Sequence, residues 1–160
     1  MNAPEQLLEY LGTHNVMTLA TVGADDPWAA VFYVNEGTAL YFLSAPTTRH
    51  CQNMQCNPRV AATVQEDYSQ WEQIKGVQVE GTVQRLNAND QHHAADLYAQ
   101  KFAFMDPLRI PAAFAAVMQK VAWYRLTPAS LYFIDNSLGL GHRVLVEADK
   151  LHGRGAESRQ

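Results

Sequence analysis

The sequence predicts a mainly β fold with added helices (α+β), its antiparallel strands closed or nearly closed into a barrel. Three observations predict this. Short runs rich in β-branched and aromatic residues recur between tight-turn signals, from Met17–Val22 to Leu131–Ile134. Val77, Val79, Gly81 and Val83 alternate with Gln78, Glu80, Thr82 and Gln84, the period of two of a half-exposed antiparallel strand. The chain has 160 residues, 48% of them hydrophobic, which suits one domain able to bury a core.

Taken in order, residues 4–14 read as a short helix, with Pro4 in its first turn, Glu5 near its N-terminus, and Leu7, Leu8 and Leu11 on one face. Met17–Val22 and Trp28–Val34 read as strands around the turn Gly23–Pro27. Asn35–Glu36–Gly37 signals a hairpin into a third strand, Leu40–Leu43. Ser44–Ala45–Pro46 breaks that strand. A helix over Thr47–Asn57 follows and ends at Asn57–Pro58, since the residue before proline avoids the α region. Val60–Val64 and Val77–Leu86 are strands separated by a polar loop. Asn89 or Asp90 caps a helix to about Phe104, and Asp106–Pro107 opens another helical stretch through Val121. Trp123–Leu126 and Leu131–Ile134 read as two final strands around Thr127–Pro128–Ala129. The domain is expected to span residues 1–147, with 148–160 a polar tail.

The formal net charge of −4 argues against a general nucleic-acid binder. No stretch approaches the roughly 20 apolar residues of a membrane helix, and the N-terminus lacks the pattern of a signal peptide. Cys51 and Cys56 on one helix would stand at least about 7.5 Å apart along its axis, beyond usual disulfide reach. Free thiols fit a cytoplasmic location.

The stretch Leu40–His50 carries the chemistry. A strand ends in Ser44, and Thr47, Thr48, Arg49 and His50 open a helix. Unpaired N–H groups and partial positive charge at a helix N-terminus attract phosphate. Hydroxyls add donors, and arginine adds a permanently charged clamp. A plain N-cap with a solvated arginine explains the same spacing.

Here the chain resembles the pyridoxamine 5′-phosphate oxidase-like split-barrel flavoproteins. The resemblance rests on Ser44, the triplet Thr48–Arg49–His50, Asn57–Pro58–Arg59–Val60, the strand Gly76–Gly81, and the order of these pieces over residues 5–147. The segment Asp135–Gly141 is similar to a small bacterial branch of that superfamily. The resemblance implies a six-stranded antiparallel split β-barrel with peripheral helices, a homodimer, and one FMN at each side of the interface. Ser44, Thr48, Arg49 and His50 match phosphate-binding positions, with His50 where lysine is usual. Ala30, Val31, Phe32 and Tyr33 match the segment along the isoalloxazine ring. Lys75 and Gly76 match a flavin-contacting position, and Asn136 and Arg143 lie where the other subunit approaches the flavin. The resemblance thus implies an FMN-binding oxidoreductase of unspecified small-molecule substrate. The extra basic residues that hold a phosphorylated vitamin substrate have no counterpart here.

Rival readings are a haem-binding or haem-degrading split barrel, with His142 or His14 as iron ligand, a non-catalytic flavin carrier, and a deazaflavin protein. A metal site is not expected: His92 and His93 point apart on a helix, and Cys51, Cys56 and His50 lack a zinc spacing. Trp28, Trp71 and Trp123 suit a core or an interface, and Gly139-x-Gly141 suits a turn.

Overall fold

The computed structural model describes residues 1–23, 30–105 and 112–147. Its elements run α1 (Ala3–Thr13), β1 (Val16–Thr21), β2 (Ala30–Glu36), β3 (Ala39–Ser44), α2 (Arg49–Cys56), β4 (Arg59–Gln65), β5 (Lys75–Arg85), α3 (Ala88–Lys101), α4 (Ala112–Met118), β6 (Ala122–Asp135) and β7 (Arg143–Val146). All strands are antiparallel in the order β3-β2-β1-β4-β5-β6-β7, and pairing of β3 with β6 closes the first six into a barrel. The seventh lies outside it. The expected six-stranded barrel with peripheral helices is what forms.

Local chemistry explains the helix ends. Asn2 and Glu5 form a reciprocal capping box at α1, each side chain meeting the other's backbone N–H at 3.0 Å. Asn87 caps α3 by accepting from the N–H groups of Asn89 and Asp90, so the cap lies two or three residues before the positions expected. Gly37 turns the β2–β3 hairpin at φ 56°, where a side chain is strained.

The barrel interior holds Leu19, Tyr33, Leu40, Phe42, Val64, Val77 and Leu126, closed at its ends by Leu7 and Leu11 of α1 and by Cys51 and Met54 of α2. A second apolar layer lies outside the barrel, where Ala94, Tyr98 and Phe102 of α3 cover Val34, Tyr41 and Trp123. β3 is therefore covered on both faces, which is why Ala39–Phe42 is a continuous apolar run without alternation.

The two strands expected around Pro128 are one, β6. Proline lacks an N–H, so it interrupts a regular ladder. Here it pairs with Gly81 at the register shift between Glu80 and Gly81, where the ladder is already irregular. A Cβ at Gly81 would lie 2.4 Å from the Thr127 carbonyl oxygen. The glycine lets the two backbones close on the bulge. β7 was not expected. Its four residues follow Gly139 and Gly141, both at positive φ, which turn the chain back onto β6. Trp28, most of the turn Gly23–Pro27 and the polar tail from 148 lie outside the described residues.

Candidate functional site

β3 delivers Ser44 to the rim of the barrel, and the turn after it brings the first residues of α2 back against that serine. Ser44 Oγ lies 2.7 Å from His50 Nε2 and 3.3 Å from Thr48 Oγ1, and Thr48 Oγ1 lies 3.2 Å from His50 Nε2. Thr48 occupies the N-cap of α2, but its hydroxyl donates back to the Ala45 carbonyl at 2.8 Å and caps no helical N–H. The first turn of α2 thus keeps its N–H groups and its positive end for something other than its own cap. Arg49, the first helical residue, is exposed beside them.

Ser44 and His50 form the polar end of a cavity of about 490 Å³. Its remaining wall is apolar: Val31 and Phe32 of β2, Leu43 of β3, Val16 of β1, Tyr98 of α3, and Phe104 and Met105 in the short turn after α3. The volume falls in the range of cofactor sites, roughly 300–1,000 Å³. Phe32 is 55% exposed and Phe104 53%, with their rings edge to face at 6.5 Å. Exposed aromatics lining a cavity leave apolar area that a ligand or a partner surface would cover. The Tyr98 hydroxyl donates to the Phe32 carbonyl and so ties the wall to α3. Burial raises the Tyr98 hydroxyl above the usual tyrosine range, keeping it a donor.

The structure brings together Ser44, Thr48, His50, Val31 and Phe32, with Arg49 adjacent. The other expected contact residues lie elsewhere. Ala30 opens β2 opposite Thr18. Tyr33 points into the core, fully buried, and donates to the Leu11 carbonyl at 2.9 Å. Lys75 and Gly76 sit at the far end of β5, where Lys75 pairs with Asp135 at 3.2 Å. Burial raises the Asp135 carboxyl, but hydrogen bonds from Ser137 and this lysine outweigh it and hold the carboxyl below the usual range. Asn136 locks turns together, donating to the Trp71 carbonyl and accepting from the Gly141 N–H, both at 3.0 Å. Arg143 lies on β7, 4.3 Å over the Tyr132 ring and donating to Gln78 at 3.2 Å. It lines a separate outer cleft with the small residues Thr18, Ala20, Ala61 and Thr63 and the larger Glu80 and Tyr132. Ser44 and Lys75 stand at opposite ends of β6, so one chain does not bring these two sets to one ligand.

Neither haem-ligand candidate reaches the cavity. His14 is stacked on Tyr10 and meets Glu66 at 2.9 Å, and His142 is beside Asp135. His50 is the histidine that lines it. Among the described residues no three His, Cys, Asp or Glu side chains are grouped to hold a metal. His93 pairs with Glu36 at 3.0 Å. The lining residues missed from the sequence are Val16, Leu43, Tyr98, Phe104 and Met105. Tyr98 sits at helical spacing with Ala94 and Phe102, a pattern that marks a buried face without telling core from cavity wall.

Comparison with known proteins agrees with this fold. A UPF0306 protein of Photorhabdus laumondii is 33% identical over 150 residues, covering 90% of this chain and 97% of that one. Among solved structures, a heme binding protein from Mycobacterium smegmatis superposes with a TM-score of 0.72 at 18% identity, covering 93% of this chain and 59% of that longer one. An FAD-binding protein from Mesorhizobium loti gives 0.60 at 22% identity, covering 82% and 92%. Residues 3–135 match the model of the pyridoxamine 5′-phosphate oxidase family, and the chain belongs to that family, among its UPF0306 relatives.

Proposed function

We propose that the cavity holds FMN and that the protein is a cytoplasmic, homodimeric flavin oxidoreductase acting on a small molecule. The observation that carries this reading is the division of one cavity into a hydroxyl–imidazole end at an uncapped helix N-terminus and an apolar remainder. Ser44, Thr48, His50, Arg49 and the first N–H groups of α2 would hold the phosphate. Val31, Phe32 and Leu43 would lie along the ring system. Bound FMN would supply hydride and electron transfer. The chain's part is to orient the ring, exclude water and fix the phosphate.

A second copy would supply the residues that one chain leaves apart. Lys75, Gly76, Asn136 and Arg143 would reach the flavin from a partner docked on the outer face, whose small residues allow close approach. An obligate interface buries more than about 2,000 Å². Haem is a second reading, favoured by the apolar wall around His50 and by the heme binding protein of Mycobacterium smegmatis. Absorption spectra of the purified protein titrated with FMN and with haemin, with light scattering at low micromolar concentration, test both. Saturable FMN binding by a dimer supports the proposal. Tight haem binding with a Soret band that His50→Ala abolishes, and no FMN binding, overturns it.

A further inference from the structure

Behind the polar end of the main cavity lies a smaller one of about 140 Å³, between α2 and the paired strands β5 and β6. It is lined by Cys51, Met54, Gln55, Val83, Arg85 and Tyr124. Tyr124 is 3% exposed, and its hydroxyl is buried with no hydrogen-bond partner among the described residues. A buried hydroxyl left in this way costs stability, so its persistence calls for an explanation. What faces it is the Cys51 sulfur, a weak partner at best. Arg85 adds a guanidinium close enough to act on Tyr124.

Every polar group packed around Cys51 favours an anion there. Burial raises the thiol. Contacts from His50 and Thr48 on α2 and its cap and from Ser44 on β3 are among those that outweigh that and bring it down to about 7. A thiol with near-neutral ionisation reacts where a reagent can reach it; Cys51 is buried, and the small cavity it lines is the access. The cavity has room for a molecule of a few heavy atoms, a liquid water molecule occupying about 30 Å³.

We propose that Cys51 is the reactive thiol of a small-hydroperoxide site, with the Tyr124 hydroxyl and the Arg85 guanidinium as the groups that receive the peroxide oxygens. The Cys51 thiolate attacks one oxygen of HOOH. A sulfur–oxygen bond forms as the oxygen–oxygen bond breaks. Sulfur loses two electrons and becomes a sulfenic acid, and the departing hydroxide takes up the proton the thiol released, giving water. Tyr124 donates to the departing oxygen, and Arg85 offsets its charge. Burial restricts the oxidant to small peroxides. Ser44 and His50 also line the larger cavity, so the chain is tested without added FMN.

Cys56, exposed on the same helix, is the internal control. The folded full-length chain is treated with hydrogen peroxide at pH 7.5, the peroxide is removed with catalase, and the chain is unfolded in dimedone, which traps sulfenic acid. Peptide mass mapping then reads each cysteine. Cys51 should carry most of the trap, whereas iodoacetamide, a bulkier reagent, should label Cys56 first. Trap on Cys56 alone, or on neither cysteine, overturns the proposal. In Tyr124→Phe, which keeps the ring and its packing, oxidation of Cys51 should slow by about 2- to 12-fold, the loss of one hydrogen bond. An unchanged rate in that folded variant also overturns it, because the small cavity would then not be where peroxide reacts.

Discussion

Arg49→Ala should weaken FMN binding by about tenfold while leaving riboflavin, which lacks the phosphate, nearly unaffected. A hydrogen bond to a charged group typically contributes about 1.5–3 kcal/mol, and each 1.4 kcal/mol is tenfold in affinity. Arg49 is exposed at the first residue of α2, so water and ions screen it and the low end of that range applies. Screening gives a second handle. At about 1 M salt the Debye length shrinks to about 3 Å, and the difference between wild type and Arg49→Ala should fall to about twofold. Fluorescence quenching titrations of both proteins with FMN and riboflavin at low and high salt measure these affinities. Equal losses for the two ligands would mean that Arg49 acts through folding. A loss indifferent to salt would mean that the guanidinium is not near the phosphate.

Three further outcomes follow from the geometry. Ser44→Ala removes a neutral hydroxyl 2.7 Å from His50 and should cost FMN only about 2- to 12-fold, read in the same titration. Gly81→Ala places a Cβ 2.4 Å from the Thr127 carbonyl and should destabilise the barrel by at least about 1–3 kcal/mol, read as a lower urea midpoint; an unchanged midpoint would show that the bulge yields freely. Burial lowers the Lys101 ammonium from 10.5 to about 8, so the unfolded chain keeps a proton that the folded chain releases between those values. The stability difference between wild type and Lys101→Met should therefore shift toward wild type as pH rises from about 8 to 10.5, and a constant difference in urea midpoints would refute the burial of that charge.

Much of the fold was legible because its signals are local. Period-two runs, the Asn35–Gly37 hairpin and the Asn57–Pro58 stop each state their own geometry, and the strands formed within a residue or two of where they were expected. Where the outcome depended on a distant partner, local signals misled. Pro128 reads as a strand break on its own, and becomes part of one long strand because Gly81, far away in sequence, supplies the bulge that tolerates it. Arg143–Val146 becomes a strand because β6 offers an edge to pair with.

The site divides along the same line. Ser44, Thr48 and His50 are close in sequence and converge through one turn, so the motif that suggested them also places them. Lys75, Gly76, Asn136 and Arg143 were joined to that motif by family likeness, and within one chain the barrel holds Lys75 and Gly76 at the opposite end of β6 from Ser44. Their inclusion in the same ligand site therefore stands or falls with the second copy. A monomer that binds FMN tightly would leave the Ser44 end intact and remove the reason for assigning a flavin role to Arg143, whose contacts to Tyr132 and Gln78 already account for its placement. In a dimer, replacing Arg143 with alanine should weaken FMN without altering the phosphate discrimination that Arg49 supplies, because the two side chains would approach the ligand from different subunits.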